Sequence, residues 1–305
     1  MKSFIIKLLI LPLLTFLVFF LPLLLFCPQY THIYSASFID KMRRLESIKE
    51  PKIVLAGNSN LAFGIQSDII ETKMGMPVVN LGLHGGLGNA FHERMALFNL
   101  NKGDIVVISH LDYSDDDDIL SPELALITVE NYFRYWKIFR LKDYSRIISF
   151  LPKYVYDSFN RFKNKSDQYT ADAYSRSAFN QYGDNVFPRP CSLDGASFSL
   201  QHYSVNSVCM DRINRFYNYC NSRGVTLVIS GAPIISGLDG FDLDEYLKFH
   251  SDVEKFAKCP VISDFRDYVF DKSYFYDCAF HLTNEGARLR SQQLVKDLMN
   301  YLNRF

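Results

Sequence analysis

Beyond residue 50 the chain alternates short apolar runs with longer amphipathic stretches, and this rhythm constrains the fold more than any other feature. Residues 52–56 (KIVLA), 77–83 (PVVNLGL), 104–110 (DIVVISH), 225–232 (VTLVISGA) and 260–264 (PVISD) read as five buried strands bounded by turn residues. Helical patterns fill roughly 89–100, 203–223, 242–257 and 284–304. Strands alternating with helices predict an α/β domain built on a doubly wound, mostly parallel five-stranded sheet. Ligands in such sheets bind beyond the carboxyl ends of the strands, near the switch in strand order. Residues that follow strands directly are therefore the first candidates for function.

Two segments break the rhythm. Residues 8–27, LLILPLLTFLVFFLPLLLFC, are apolar except for Thr15 and the two prolines. Twenty helical residues at about 1.5 Å each match a hydrocarbon core of about 30 Å, and membrane helices tolerate Pro12 and Pro22. A cleaved signal peptide has a shorter apolar stretch and small residues at its cleavage site, whereas Phe26 precedes Cys27 here. Residues 1–27 therefore read as an uncleaved transmembrane anchor, with 5–27 as the span. Lys2, Lys7 and the amino terminus nearly balance Lys41, Arg43 and Arg44 across it. The very short leading tail then places residues 28–305 outside the cytoplasm.

The second break, about 120–200, is rich in Phe, Tyr, Trp and Ile with Lys and Arg interleaved. It predicts two or three amphipathic helices followed by a loop. This is an insertion that packs on the sheet or, since aromatic and basic residues suit an interface, faces a membrane or membrane partner. Residues 28–50 read as a connector and 51–305 as one domain carrying the insertion.

Composition narrows the function classes. Lys+Arg and Asp+Glu both number 33, so no global field favours nucleic acid. Cys209 and Cys220 fall on one expected helix, too far apart to bridge, and Cys27 ends the apolar run. Pairing among Cys191, Cys259 and Cys278 stays open. No cofactor motif and no metal-ligand spacing is present, and the Asp115–Asp118 run lacks the spaced ligands of a calcium loop.

Three short blocks carry the chemistry. Gly57-Asn58-Ser59-Asn60 follows the first strand, where a serine is exposed and backbone N–H groups can hold an oxyanion; the same turn also suits Ser59 as a helix N-cap. Asn80-Leu81-Gly82-Leu83-His84-Gly85-Gly86 follows the second strand, and Gly82 there allows close backbone approach. Near the end, Asp277-Cys278-Ala279-Phe280-His281-Leu282-Thr283-Asn284-Glu285-Gly286 sets a histidine just before a helix that Thr283 or Asn284 can cap. Asp277, four residues earlier, can orient the ring of a histidine acting as base.

In order and content these blocks resemble the SGNH (GDSL-like) hydrolase family over about residues 51–305, outside the insertion. Gly57-Asn58-Ser59, Asn80-Leu81-Gly82 and Asp277…His281-Leu282-x-x-x-Gly286 match its serine turn, oxyanion glycine and Asp…His blocks. The ending is most similar to membrane-anchored members, which include alginate-type O-acetyltransferases and the D-alanine transfer protein of teichoic acids.

The resemblance implies a flavodoxin-like sheet and a catalytic set of Ser59, His281 and Asp277. It also implies acyl transfer to an envelope polysaccharide, or hydrolysis of an acylated carbohydrate, with a membrane-bound O-acyltransferase as partner. A catalytically weak glycan-binding or scaffold module is the reading from another class. The family's Gly-x-Asn-Asp block is absent, replaced by Ser109-His110-Leu111-Asp112. The oxyanion hole is therefore expected from the N–H groups of Ser59 and Gly82, helped by Asn60.

Overall fold

The computed structural model describes residues 2–26, 29–115, 119–164, 171–193, 203–236 and 241–304. Its centre is a four-stranded parallel sheet of β1 (Ile53–Gly57), β2 (Val78–Asn80), β3 (Ile105–Ser109) and β4 (Thr226–Ile229), in the order β2-β1-β3-β4. The expected fifth strand is reduced to one bridge, Ile229 to Val261. Two backbone bonds tie it to Ile229, from Ile229 N to the Pro260 carbonyl and from Ile262 N to the Ile229 carbonyl. Pro260 has no N–H to give, and Asp264 already caps the next helical turn, so the ladder stops. Two further short strands, β5 (Ile234–Ile235) and β6 (Val269–Phe270), pair in parallel away from the main sheet.

Eleven α-helices occur among the described residues. The first is α1 (Lys2–Thr15), followed by α2 (Leu21–Phe26), α3 (Ser37–Ser47), α4 (Ser59–Ala62), α5 (Ser67–Met74) and α6 (Asn89–Ala96). The others are α7 (Pro122–Val129), α8 (Leu141–Asn164), α9 (Ser207–Asn221), α10 (Leu243–Phe256) and α11 (Asn284–Leu302).

Alternation along the strands divides the core. Ile53, Leu55, Ile105, Val107 and Val228 meet Ile70 of α5 and Leu294 and Leu298 of α11 on one face. Val54, Ala56, Val106, Ile108 and Leu227 meet α3, α6, α9 and α10 on the other. Helices on both faces make the sheet doubly wound. Because β1 lies between β2 and β3, the chain steps to one side of β1 and then to the other, which puts the switch at the carboxyl ends of β1 and β3.

The expected connector is part of this core. Phe38, Met42 and Leu45 of α3 are fully buried, and even Lys41 is sealed from solvent. Residues 171–193, at the end of the insertion, also join the body: Asn80 N donates to the Tyr182 carbonyl, and the Asp184 carboxylate accepts from Ser67.

At the amino end, α1 and α2 are joined by a π-turn, Phe16–Phe20. Thr15 and Leu21 keep helical backbone angles, so the helical path runs unbroken through Pro12 and Pro22. Taken singly, no helix among the described residues is long and apolar enough to cross a membrane. Cys27, the expected end of the span, lies outside the described residues, as do 116–118 of the acidic run.

Candidate active site

The site begins where β1 runs out. Asn58 keeps extended backbone angles and Ser59 opens α4, so the chain turns sharply at the switch point. Asn58 caps this turn, its Oδ1 accepting from Asn60 N at 3.0 Å and Asn60 Nδ2 at 2.7 Å. Two glycines allow the packing. A Cβ on Gly57 would meet the Ser109 carbonyl at 2.7 Å, and one on Gly82 would meet Ala62 N at 2.4 Å. Gly82 therefore lies directly against the serine turn. Ser59 is partly exposed, and its Oγ makes no hydrogen bond to a described residue.

The histidine arrives from the far end of the chain. Phe275 and Leu282 pair in an antiparallel bridge, and Tyr276 N donates to the His281 carbonyl at 2.8 Å. This closes a short loop that folds Asp277 back on His281. The four-residue spacing thus gives a contact: His281 Nδ1 lies 2.8 Å from Asp277 Oδ1. Thr283 then caps α11 by accepting from Gly286 N at 3.1 Å.

The imidazole stacks on Phe63 with centroids 4.1 Å apart and planes within 12°. Phe63 stands one helical turn after Ser59, and its N–H donates to the Ser59 carbonyl. His281 and Ser59 are thereby brought to the same short turn. A carboxylate at Nδ1 fixes the proton there and leaves Nε2 as the basic nitrogen. Nε2 makes no hydrogen bond to a described residue.

A third group completes the pair. Tyr174 Oη donates to Asp277 Oδ2 at 2.5 Å and lies 3.2 Å from His281 Nδ1. Burial raises the Asp277 pKa, but the hydrogen bonds from His281 and Tyr174 outweigh it and hold the carboxyl below its ordinary value. The Tyr174 hydroxyl is pushed up, by burial first and then by its bond to Asp277. Tyr34 and Phe63 flank Tyr174 at centroid distances of 6.1 and 5.4 Å.

No family model matches this chain, and no curated protein matches it in sequence.

The expected oxyanion donors are arranged differently. Asn60 is fully buried, its N–H and one amide bond go to Asn58 Oδ1, and the other amide bond goes to the Ser109 carbonyl. Every donor of Asn60 is engaged, so it props the turn from below. The Gly82 N–H is also taken, by Asn80 Oδ1 at 2.9 Å. Asn80 is locked in turn through Nδ2 to the Leu61 carbonyl and Asp184. Asn58 Nδ2, by contrast, makes no hydrogen bond to a described residue and lies beside Gly85.

Beneath the turn sits Arg290, fully buried and with no carboxylate partner among the described residues. It donates to the Asn60 carbonyl at 2.6 Å, and to Asn60 Oδ1 and Ser109 Oγ at 2.8 Å each. Burial lowers its pKa to about 10, so it stays charged at neutral pH. Arg189, from the insertion, reaches the carbonyls of Phe63 and Leu282 at 3.0 Å each and so bridges the serine and histidine segments.

His110 pairs with the buried Glu93 at 3.0 Å, and Arg212 links Glu93 to Asp115. His84 Nδ1 accepts from Gly86 N, and burial together with nearby His281 holds its pKa down. Asp277, Cys278 and one His281 nitrogen lie within 4.8 Å of one another, the one donor set among the described residues with metal-ligand proximity. Burial pushes the Cys278 thiol up to about 12. The five described cysteines are all unpaired.

Proposed function

We propose that this chain is a membrane-anchored serine acyltransferase of the SGNH type, acting outside the cytoplasm on an envelope polysaccharide. The observation that carries the reading is the Asp277–His281 pair, stacked on Phe63 one turn from Ser59 at the sheet's switch point. Ser59 Oγ attacks the acyl carbonyl while His281 Nε2 takes its proton. Asp277 stabilises the imidazolium. Collapse of the tetrahedral intermediate returns that proton to the leaving alcohol and leaves an acyl-Ser59 ester. A sugar hydroxyl, deprotonated by the same nitrogen, then accepts the acyl group; water in its place gives an esterase.

The Ser59 N–H and the open Nδ2 of Asn58 are the donors we assign to the oxyanion. Each such donor contributes about 2.7–4 kcal/mol to catalysis. The anchor rests on the apolar residues between Phe4 and Val18, most of them exposed, and on the continuous helical path from α1 through the π-turn to α2. A membrane-bound O-acyltransferase suits this arrangement as partner and acyl source.

A second reading, a glycan-binding or scaffold module, draws on one observation: no hydrogen bond joins Ser59 Oγ to His281. Apo sites often hold such pairs apart until substrate closes them. A fluorophosphonate probe separates the two readings. The enzyme reading expects labelling that Ser59→Ala abolishes and His281→Ala strongly slows. A folded wild-type protein that the probe never labels supports the module.

A further inference from the structure

The insertion carries a surface that the proposed chemistry does not use. Helix α8 has 24 residues and contains Pro152, a rod about 36 Å long. At about 100° per residue, its side chains fall into three sectors. Ile147, Leu151 and Tyr154 occupy the first and are buried against the domain. Leu141, Ile148 and Tyr156 occupy the second, within about 60° of one line, and are exposed; Ile148 and Tyr156 show 54% and 65% of their surface. The third sector is polar and includes Lys142, Arg146 and Lys153. Over the whole helix five basic residues face two acidic ones, and one of those, Asp143, is buried. A stripe this long would normally be covered by something.

Position identifies the cover. Helix α8 packs against the π-turn Phe16–Phe20 and against α2, the half of the apolar segment nearest the domain. If residues 5–27 cross a bilayer, α2 is where the chain leaves it, and what packs on α2 lies at the lipid surface. Long aromatic and aliphatic side chains beside lysine and arginine are the composition of a helix lying in the headgroup layer. We propose that α8 is an interfacial helix, its apolar stripe set into the boundary between headgroups and acyl chains of an anionic bilayer. The domain then rests on the membrane along α8 as well as hanging from its anchor.

The inference rests on the anchor reading, so its test reads both. Trp136 is the single tryptophan, and the full chain carrying Trp136→Phe provides a silent background. Ile148→Trp and Tyr156→Trp report the stripe, Lys153→Trp the polar sector and Leu14→Trp the anchor. Each protein is reconstituted into phosphatidylcholine–phosphatidylglycerol vesicles with bromine on the acyl chains. Should Trp136→Phe fold poorly, the same substitutions are read as increments over the wild-type signal. The proposal expects acyl-chain bromine to quench Ile148→Trp and Tyr156→Trp several-fold more than Lys153→Trp, which aqueous acrylamide quenches instead. It is overturned if the stripe and polar-sector positions quench alike. It is also overturned if Leu14→Trp is quenched and Ile148→Trp is not, which leaves the stripe to a protein partner. Quenching of Ile148→Trp without Leu14→Trp keeps the interfacial helix and removes the anchor; quenching of neither removes both.

Discussion

Arg290→Ala should unfold the serine turn before anything else. The guanidinium makes three bonds of 2.6–2.8 Å to Asn60 and Ser109, and a fourth at 3.4 Å to the Gly231 carbonyl. Hydrogen bonds to a charged group contribute about 1.5–3 kcal/mol each, so the three short ones sum to about 4.5–9 kcal/mol. Relief from burying an unpaired charge returns several kcal/mol of that. Ser109 Oγ keeps its bond to the Gly231 carbonyl, so the loss falls on Asn60. A net loss of about 3–5 kcal/mol follows, or about 10 °C in melting temperature for a chain of this size.

Urea unfolding of the detergent-solubilised full chain, followed by far-ultraviolet circular dichroism, measures the loss. Arg290→Lys should fall between wild type and Arg290→Ala, because one ammonium keeps the charge but lacks the guanidinium's forked geometry. Activity of Arg290→Ala should stay low even well below its melting temperature, since Asn60 no longer holds Ser59. A midpoint shift within about 0.5 kcal/mol of wild type, the range of an ordinary surface change, would refute the reasoning.

Asp277→Ala should reduce turnover less than Ser59→Ala or His281→Ala, because the carboxylate only orients the imidazole; Asp277→Asn should not restore it, since it admits the wrong tautomer. Wild-type rates in Asp277→Ala, measured on an activated acetyl ester, would mean another group holds His281. Tyr174→Phe removes the hydroxyl on Asp277 Oδ2, and kcat should fall about tenfold with KM unchanged, from about 1–2 kcal/mol of lost hydrogen bonding at a partly exposed pair. Combined with Asp277→Ala it should add little, and full additivity would contradict the shared contact. Lys41 supplies a pH test: burial lowers its pKa to about 7 from 10.5. Between those values the unfolded chain binds the extra proton, so stability should rise with pH from about 7 toward 10. In Lys41→Met this rise should be reduced, and an unchanged pH slope of the urea midpoint would show that Lys41 does not titrate there.

The four paired strands were legible because each is an apolar run closed by turn residues, and their alternation with helices implied the switch point beside Ser59. The fifth run looked equally good, but pattern alone does not show that Pro260 and the Asp264 cap end the ladder. Asp277 and His281 were visible as a local pair, since a closed loop needs only short-range contacts. Long-range partners were hidden. Tyr174 lies in an insertion about one hundred residues upstream, and nothing in its neighbours marks it as a partner of Asp277. Arg290 lies on the last helical pattern, where nothing in the sequence sets it apart, yet it is fully buried. Asn60 and Gly82 were sound candidates by position, but which donors stay open depends on Asn58 and Asn80 side-chain directions, which tertiary packing sets. Lys41, counted among the charges flanking the apolar run, is likewise turned inward by tertiary packing.

The most direct test of the central claim is the covalent intermediate itself. Full-length protein mixed with an activated acetyl ester, quenched within one turnover and mapped by tandem mass spectrometry, should carry one acetyl group on Ser59. The group should be absent from Ser59→Ala and barely detectable in His281→Ala. An acetyl group mapped to any other residue, or turnover in Ser59→Ala at the wild-type rate, would contradict the account.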